Sequence, residues 1–167
     1  MCRHLESKGY IWHRGLLKKT GLTSSTLDGA AIERKHAKVM KLPAEYIVRG
    51  HLFEPLPGHD GYLIIRDPRN MVVSLRRYDE RKTLFRSFQS AMRDYHCGET
   101  VVDYCRGFRN WDNVLRFEDL CRLGYAKTRT STGKLSDFRQ AWAPEDHACF
   151  SRIGGPELLR DWGYAPS

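Results

Sequence analysis

The clearest apolar run of the chain is Gly61-Tyr62-Leu63-Ile64-Ile65, and it does not alternate. Such a run predicts a strand of a parallel sheet with both faces covered. Asp67-Pro68 follows it. Aspartate can accept hydrogen bonds from the free N–H groups of a helix start, and proline suits the first helical position, so a helix is predicted over 68–78. Leu84, Phe85, Phe88, Met92 and Tyr95 recur at helical spacing and predict a second helix over 80–95, with these side chains as its buried stripe. Tyr46-Ile47-Val48 is a short β-prone run, and 113–117 reads as another strand ahead of Glu118-Asp119-Leu120. The stretch 144–164 predicts two short helices broken at Gly154-Gly155. Upstream, 1–8 reads as a short polar helix. The stretch 15–28 reads as a loop, and 28–40 as a helix capped by Asp28, with Lys35, Lys38 and Lys41 on one face. Strands alternating with helices predict an α/β fold with a mainly parallel sheet.

Length and composition add bounds. The 167 residues suit one domain, and 41% hydrophobic with 29% charged residues describes a globular chain rather than a disordered one. The net charge of +8 favours an anionic partner without choosing between nucleic acid, a membrane surface and a phosphorylated small molecule. No run approaches the roughly 18 apolar residues of a membrane helix, and the charged start lacks a secretory core, so no membrane association is expected. Cys2, Cys97, Cys105, Cys121 and Cys149 are odd in number and at no metal-like spacing. They read as free thiols, mostly buried as small apolar residues, in a reducing and hence cytoplasmic compartment.

Arg66 closes the 61–65 strand, where α/β proteins bind ligands, and its planar fork suits a phosphate. Ser74 lies eight residues later, about two turns into the next helix, where a hydroxyl can face the same anion. From spacing alone a helix cap beside a small packing residue is the better explanation, because a strand followed by an arginine and a helix is common.

A resemblance changes that balance. Arg66-Asp67-Pro68-Arg69-Asn70-Met71-Val72-Val73-Ser74-Leu75 resembles a segment of the sulfotransferases that use 3'-phosphoadenosine 5'-phosphosulfate (PAPS), in which an arginine and a serine at this spacing grip the 3'-phosphate. Three further blocks occur in the family's order. Arg49-Gly50-His51-Leu52-Phe53-Glu54-Pro55-Leu56-Pro57 is similar to the block K-T-H-L-P, whose histidine is the catalytic base. Leu115-Arg116-Phe117-Glu118-Asp119-Leu120 resembles a strand ending in Y-E-D-L. Gly133-Lys134-Leu135-Ser136-Asp137-Phe138, followed by Trp142-Ala143-Pro144-Glu145, resembles the G-K-x-G-D-W and T-P-E block that closes over the nucleotide.

The resemblance implies a P-loop-like parallel sheet flanked by helices, in a single domain over 1–167. It implies PAPS as co-substrate and an alcohol or amine acceptor, a small molecule or a glycan, with no metal. It assigns His51 as the base, Arg66 and Ser74 to the 3'-phosphate, and Gly133 and Lys134 to the nucleotide. An imidazole titrates near neutrality and so suits removal of an acceptor proton. The other histidines lie in no matched block and read as structural. Arg49 stands where the family has a lysine. Ser131-Thr132 stands where the family has a basic pair.

The family's domain opens with a strand and a P-K-S-G-T-T-W-like loop that holds the 5'-phosphosulfate. No such segment occurs in these residues, and 1–9 resembles the helix that follows it, so the expectation is a domain lacking its first strand and that loop. Lys19-Thr20-Gly21-Leu22-Thr23 matches it loosely and reads as an ordinary turn. Two other readings stand beside transfer: a non-catalytic nucleotide-binding remnant, and a basic nucleic-acid binder, for which no motif is present.

Overall fold

Asp67 starts the first long helix as its sequence dictates. Its side chain accepts from the Arg69 N–H at 2.9 Å, and Pro68 occupies the first turn without needing a donor. The helix runs over Pro68–Glu80, close to the predicted span. The computed structural model describes residues 11–12, 37, 46–47, 53–55, 61–124, 135 and 137–165. The expected helix over 1–8 and loop over 15–28 lie outside them, as does 28–40 except for Ala37, which is helical. The described elements are β1 (Ile11–Trp12), β2 (Tyr46–Ile47), β3 (Tyr62–Ile65), α1 (Pro68–Glu80), α2 (Phe88–Arg93) and α3 (Val101–Arg106). They continue with β4 (Asn113–Arg116), α4 (Phe117–Arg122), α5 (Phe138–Ala141), α6 (Pro144–Arg152) and α7 (Gly155–Asp161). The chain is therefore mixed α/β, with helices and a small two-stranded parallel sheet. Among the described residues no helix is long and apolar enough to cross a membrane.

The chain divides into two compact units, 1–63 with 109–133 and 64–108 with 134–167. In the first, β1 and β2 pair in parallel, with Ile11 opposite Tyr46 and Trp12 opposite Ile47. Parallel neighbours need a crossover of a dozen or more residues, and the 33 residues between Trp12 and Tyr46 supply it. The carbonyl of Phe53 accepts from both the Arg109 N–H and the Trp111 indole at 2.9 Å. Gly61 lies under the Trp111 ring: a Cβ there would come within 2.7 Å of Cζ3, so the position admits no side chain without displacing the indole. β4 leads into α4, which packs back on it, and Leu120 of α4 is buried.

β3 pairs with β4, as the two runs suggested, but the burial differs from expectation. A strand covered on both faces was expected; instead Tyr62 is 58% and Ile64 42% exposed, and Ile65 alone is buried. Among the described residues β3 has one strand neighbour, β4.

The second unit is helical. α1 packs on α2, α3 and α5; α2 also meets α3 and α6; α7 meets α3 and α6. Val72 and Val73 of α1, Met92 of α2, Val101, Val102 and Cys105 of α3, and Phe138, Cys149, Phe150, Leu158 and Leu159 fill the core. Cys105 and Cys149 follow the buried-thiol expectation, whereas Cys97 is exposed and Cys121 half-buried.

The single helix expected over 80–95 is absent. α1 ends at Glu80, a turn follows with Thr83 in the left-handed region at φ 61°, and α2 begins only at Phe88. The turn closes on Asp79, whose carbonyl accepts from the N–H groups of Lys82 at 2.8 Å and Leu84 at 2.9 Å. Leu84 and Phe85 are 55% and 85% exposed, so the supposed buried stripe reduces to Met92, with Phe88 and Tyr95 half-buried. α3 is an element the apolar pattern did not suggest. Its start carries a capping signal, Thr100 accepting from the Asp103 N–H at 3.1 Å.

The break between α6 and α7 falls where two glycines predicted it. Gly154 sits at φ 86°, and Gly155 lies against the buried Phe150 ring. A methyl group on Gly155 would overlap that ring. Gly155→Ala is expected to destabilise the protein by about 1–3 kcal/mol, the range for overpacking a filled core, read as a fall in the urea midpoint. An unchanged midpoint would show that Phe150 has room to turn aside.

Candidate functional site

Arg66 and Ser74, the residues expected to share a phosphate, both belong to the second unit. Arg66 follows β3 and immediately precedes the cap of α1; Ser74 lies midway along α1, and both are half-buried. Asn70 is four residues from each in sequence. Helical residues four apart share a face, so Ser74 stands one turn along from Asn70 on the same side of α1.

That side meets the start of α5. The Asn70 side-chain oxygen accepts from the backbone N–H of Phe138 at 3.1 Å, satisfying a donor in the first turn of α5 that has no partner within its own helix. Asp137 caps the same turn by accepting from the Arg139 N–H at 3.0 Å. The Arg66–Leu75 and Gly133–Phe138 blocks, some sixty residues apart in sequence, are thus joined through their polar groups.

Arg69 reinforces the joint. It is 2% exposed, and its Nε and Nη2 donate to the two carboxylate oxygens of Asp67 at 3.0 and 2.8 Å. Nη2 also donates to the Ala165 carbonyl at 3.0 Å, and the guanidinium lies 4.1 Å above the centre of the Phe138 ring. Phe138 in turn packs edge-on against Trp142, which opens the Trp142–Glu145 block, and His147 packs on both rings.

Behind Arg66 lies an aromatic group. Tyr95 and Tyr104 pack with ring centres 5.3 Å apart, and Tyr104 also touches His96 and Phe108. Burial drives the Tyr95 phenol well above the ordinary tyrosine range, with the nearby Cys105 and Tyr104 adding to the rise and the positive charge of Arg66 opposing it. Burial likewise pushes Tyr104 up to about 12, and it pushes the Cys105 thiol up with help from the charge of Asp67. Both phenols and the Cys105 thiol are therefore neutral hydrogen-bonding or packing groups at physiological pH, and Cys105 is a poor nucleophile.

His51, Gly133 and Lys134 lie outside the described residues. Phe117, in the block that resembles a strand ending in Y-E-D-L, is half-buried at the first position of α4. Among the described residues no group of three or more His, Cys, Asp or Glu side chains could hold a metal ion. Arg69 and Asn70 were not singled out from the sequence as functional. Their signal was two polar residues in the first turn of a helix, directly after a capping Asp-Pro. Compared with protein-family models, curated proteins and solved structures, the chain matches none.

Proposed function

We propose that this chain binds PAPS and belongs to a sulfotransferase that moves the sulfonate group to an alcohol or amine of a small molecule or glycan. The observation that carries the reading is the Asn70–Phe138 hydrogen bond. The resemblance assigns the Arg66–Leu75 and Gly133–Phe138 blocks to the same nucleotide, and nothing about that assignment requires them to touch in an unrelated fold. The donor set suits a phosphate: a guanidinium at a strand end, a hydroxyl on the following helix, and a lysine four residues before the pinned Phe138.

In this reading Arg66 and Ser74 hold the 3'-phosphate, and Gly133 and Lys134 complete its cover. His51 takes the acceptor proton as the acceptor oxygen or nitrogen bonds to sulfur. The bond from sulfur to the 5'-phosphate oxygen breaks, and adenosine 3',5'-bisphosphate leaves with that electron pair. In this reading the fold is a P-loop-like parallel sheet flanked by helices.

The test is titration calorimetry with adenosine 3',5'-bisphosphate. Arg66→Ala is expected to weaken binding by roughly 1.5–3 kcal/mol, the range for a hydrogen bond to a charged group, with little change towards AMP. Equal affinity of mutant and parent for the bisphosphate would remove the site.

A further inference from the structure

We propose that the turn between α1 and α2 docks this protein on an anionic lipid surface, with Leu84 and Phe85 entering the bilayer interface and the cations around them facing the headgroups. The inference is independent of the nucleotide reading. It departs from the expectation of no membrane association, because a surface contact needs no membrane-spanning run.

The turn presents two successive large apolar side chains to water. Phe85 is 85% exposed, so its ring touches almost nothing of the fold, and Leu84 before it and Tyr78 in the last turn of α1 are exposed as well. The backbone on both sides of the pair is tied down. The Asp79 carbonyl accepts from the N–H groups of Lys82 and Leu84, and the buried Asp79 carboxylate accepts from Arg86 Nε at 3.0 Å. Arg86 Nη1 also donates to the carbonyl of Asp94, at the end of α2, at 3.0 Å. The fold therefore fixes the turn while leaving its two apolar side chains out of the core.

Charge identifies the occupant. The span 76–86 holds five cations against two carboxylates, Asp79 and Glu80. Both carboxylates are engaged, Asp79 by Arg86 and Glu80 by Arg76 at 3.2 Å. Arg81 and Lys82 stand exposed next to the apolar pair, and Lys82 Nζ lies 4.4 Å from the centre of the Tyr78 ring. A second copy of the chain would bring like charges together, and the net charge of +8 opposes it. A nucleic acid would stack on the phenyl ring but gains little from the adjacent leucine. A partner protein would need a pocket that encloses a ring standing almost wholly clear of its own fold. A bilayer needs no matching shape. Apolar side chains enter the boundary between headgroups and acyl chains, tyrosine suits the interface, and anionic lipids attract lysine and arginine.

The experiment is co-sedimentation of the 167-residue chain with two kinds of vesicle, phosphatidylcholine alone and phosphatidylcholine with about 30% phosphatidylserine, with melting temperature recorded alongside. The parent is expected to bind the anionic vesicles at least about tenfold more tightly than the neutral ones, and less tightly as salt rises. Phe85→Ser should lose about tenfold or more, as removal of a buried phenyl ring does, with no fall in melting temperature because the ring touches little of the fold. Lys82→Gln should lose about fivefold, and only towards the anionic vesicles. In Phe85→Trp, anionic vesicles should shift tryptophan emission to shorter wavelength, and brominated acyl chains should quench it, more than in the parent.

A parent that binds both vesicles equally, or neither, overturns the proposal. Full anionic-vesicle affinity in Phe85→Ser does so too, since the contact would then be one of net charge alone. Binding of single-stranded DNA that depends on Phe85, without vesicle binding, would assign the turn to a nucleic acid and overturn the lipid surface.

Discussion

Arg69→Ala will cost this protein about 3–5 kcal/mol of stability, the usual consequence of breaking a buried ion pair by removing one partner. Arg69 is 2% and Asp67 6% exposed, so neither charge has water to fall back on. Losing the guanidinium strips Asp67 of three hydrogen bonds, the Ala165 carbonyl of one, and the Phe138 ring of the cation stacked on it. The remaining carboxylate is left with backbone N–H donors at the helix start, chiefly that of residue 69. A loss of this size moves the urea midpoint by roughly 2 M for a protein of ordinary denaturant sensitivity. Asp67→Asn with Arg69→Met removes both charges and keeps a capping oxygen and an apolar stem, and it should recover much of the loss. A cost below about 1 kcal/mol for Arg69→Ala would mean the pair behaves like an exposed one.

The second large effect concerns turnover. The 167 residues should bind adenosine 3',5'-bisphosphate measurably yet transfer sulfonate at or below background. On the proposed function Arg66 and Ser74 would act at the 3' end, whereas the charge that develops during transfer would be on the departing 5'-phosphate. A preorganised donor at such a position is worth about 2.7–4 kcal/mol, and no P-K-S-G-T-T-W-like segment occurs in this sequence to supply any. Fusing a strand and loop of that kind ahead of Met1 should restore transfer. His51→Ala in the fused protein should then lower the rate by about 10²–10⁴-fold, the contribution of a general base, with bisphosphate affinity kept. A radiolabelled-sulfonate assay reads both. Brisk sulfonation by the 167 residues alone would sink this expectation and direct attention to Lys19-Thr20-Gly21.

Much of the helical framework was legible because local chemistry and burial agree there. Asp67-Pro68 announces α1, and Gly154-Gly155 announces the break between α6 and α7. The 80–95 region misled because a 3.6-residue period continued by chance across a chain reversal. Periodicity cannot register that Thr83 adopts φ 61° or that Ser87 caps a new helix, although the serine was there to be seen. β3 misled for a different reason: an apolar run gives a tendency to be covered, yet Tyr62 and Ile64 stay exposed in the fold. In the candidate site, Arg66 and Ser74 could be named because they are the groups that would touch an anion. Arg69 and Asn70 could not, since a buried polar side chain looks like a surface one until its partner is known, and theirs lie at Phe138 and Ala165.

The wide sequence separation of those partners sets a timetable for the newly made chain. Arg69 meets the Ala165 carbonyl across 96 residues. At about 5–20 residues per second, a ribosome takes roughly 5–20 s to travel from one to the other. Throughout that interval α1 carries a charged pair and two valines with no finished core to receive them. Nascent copies of this protein therefore spend seconds in a state that can bind chaperones or one another, and slower translation beyond α3 should lengthen that exposure.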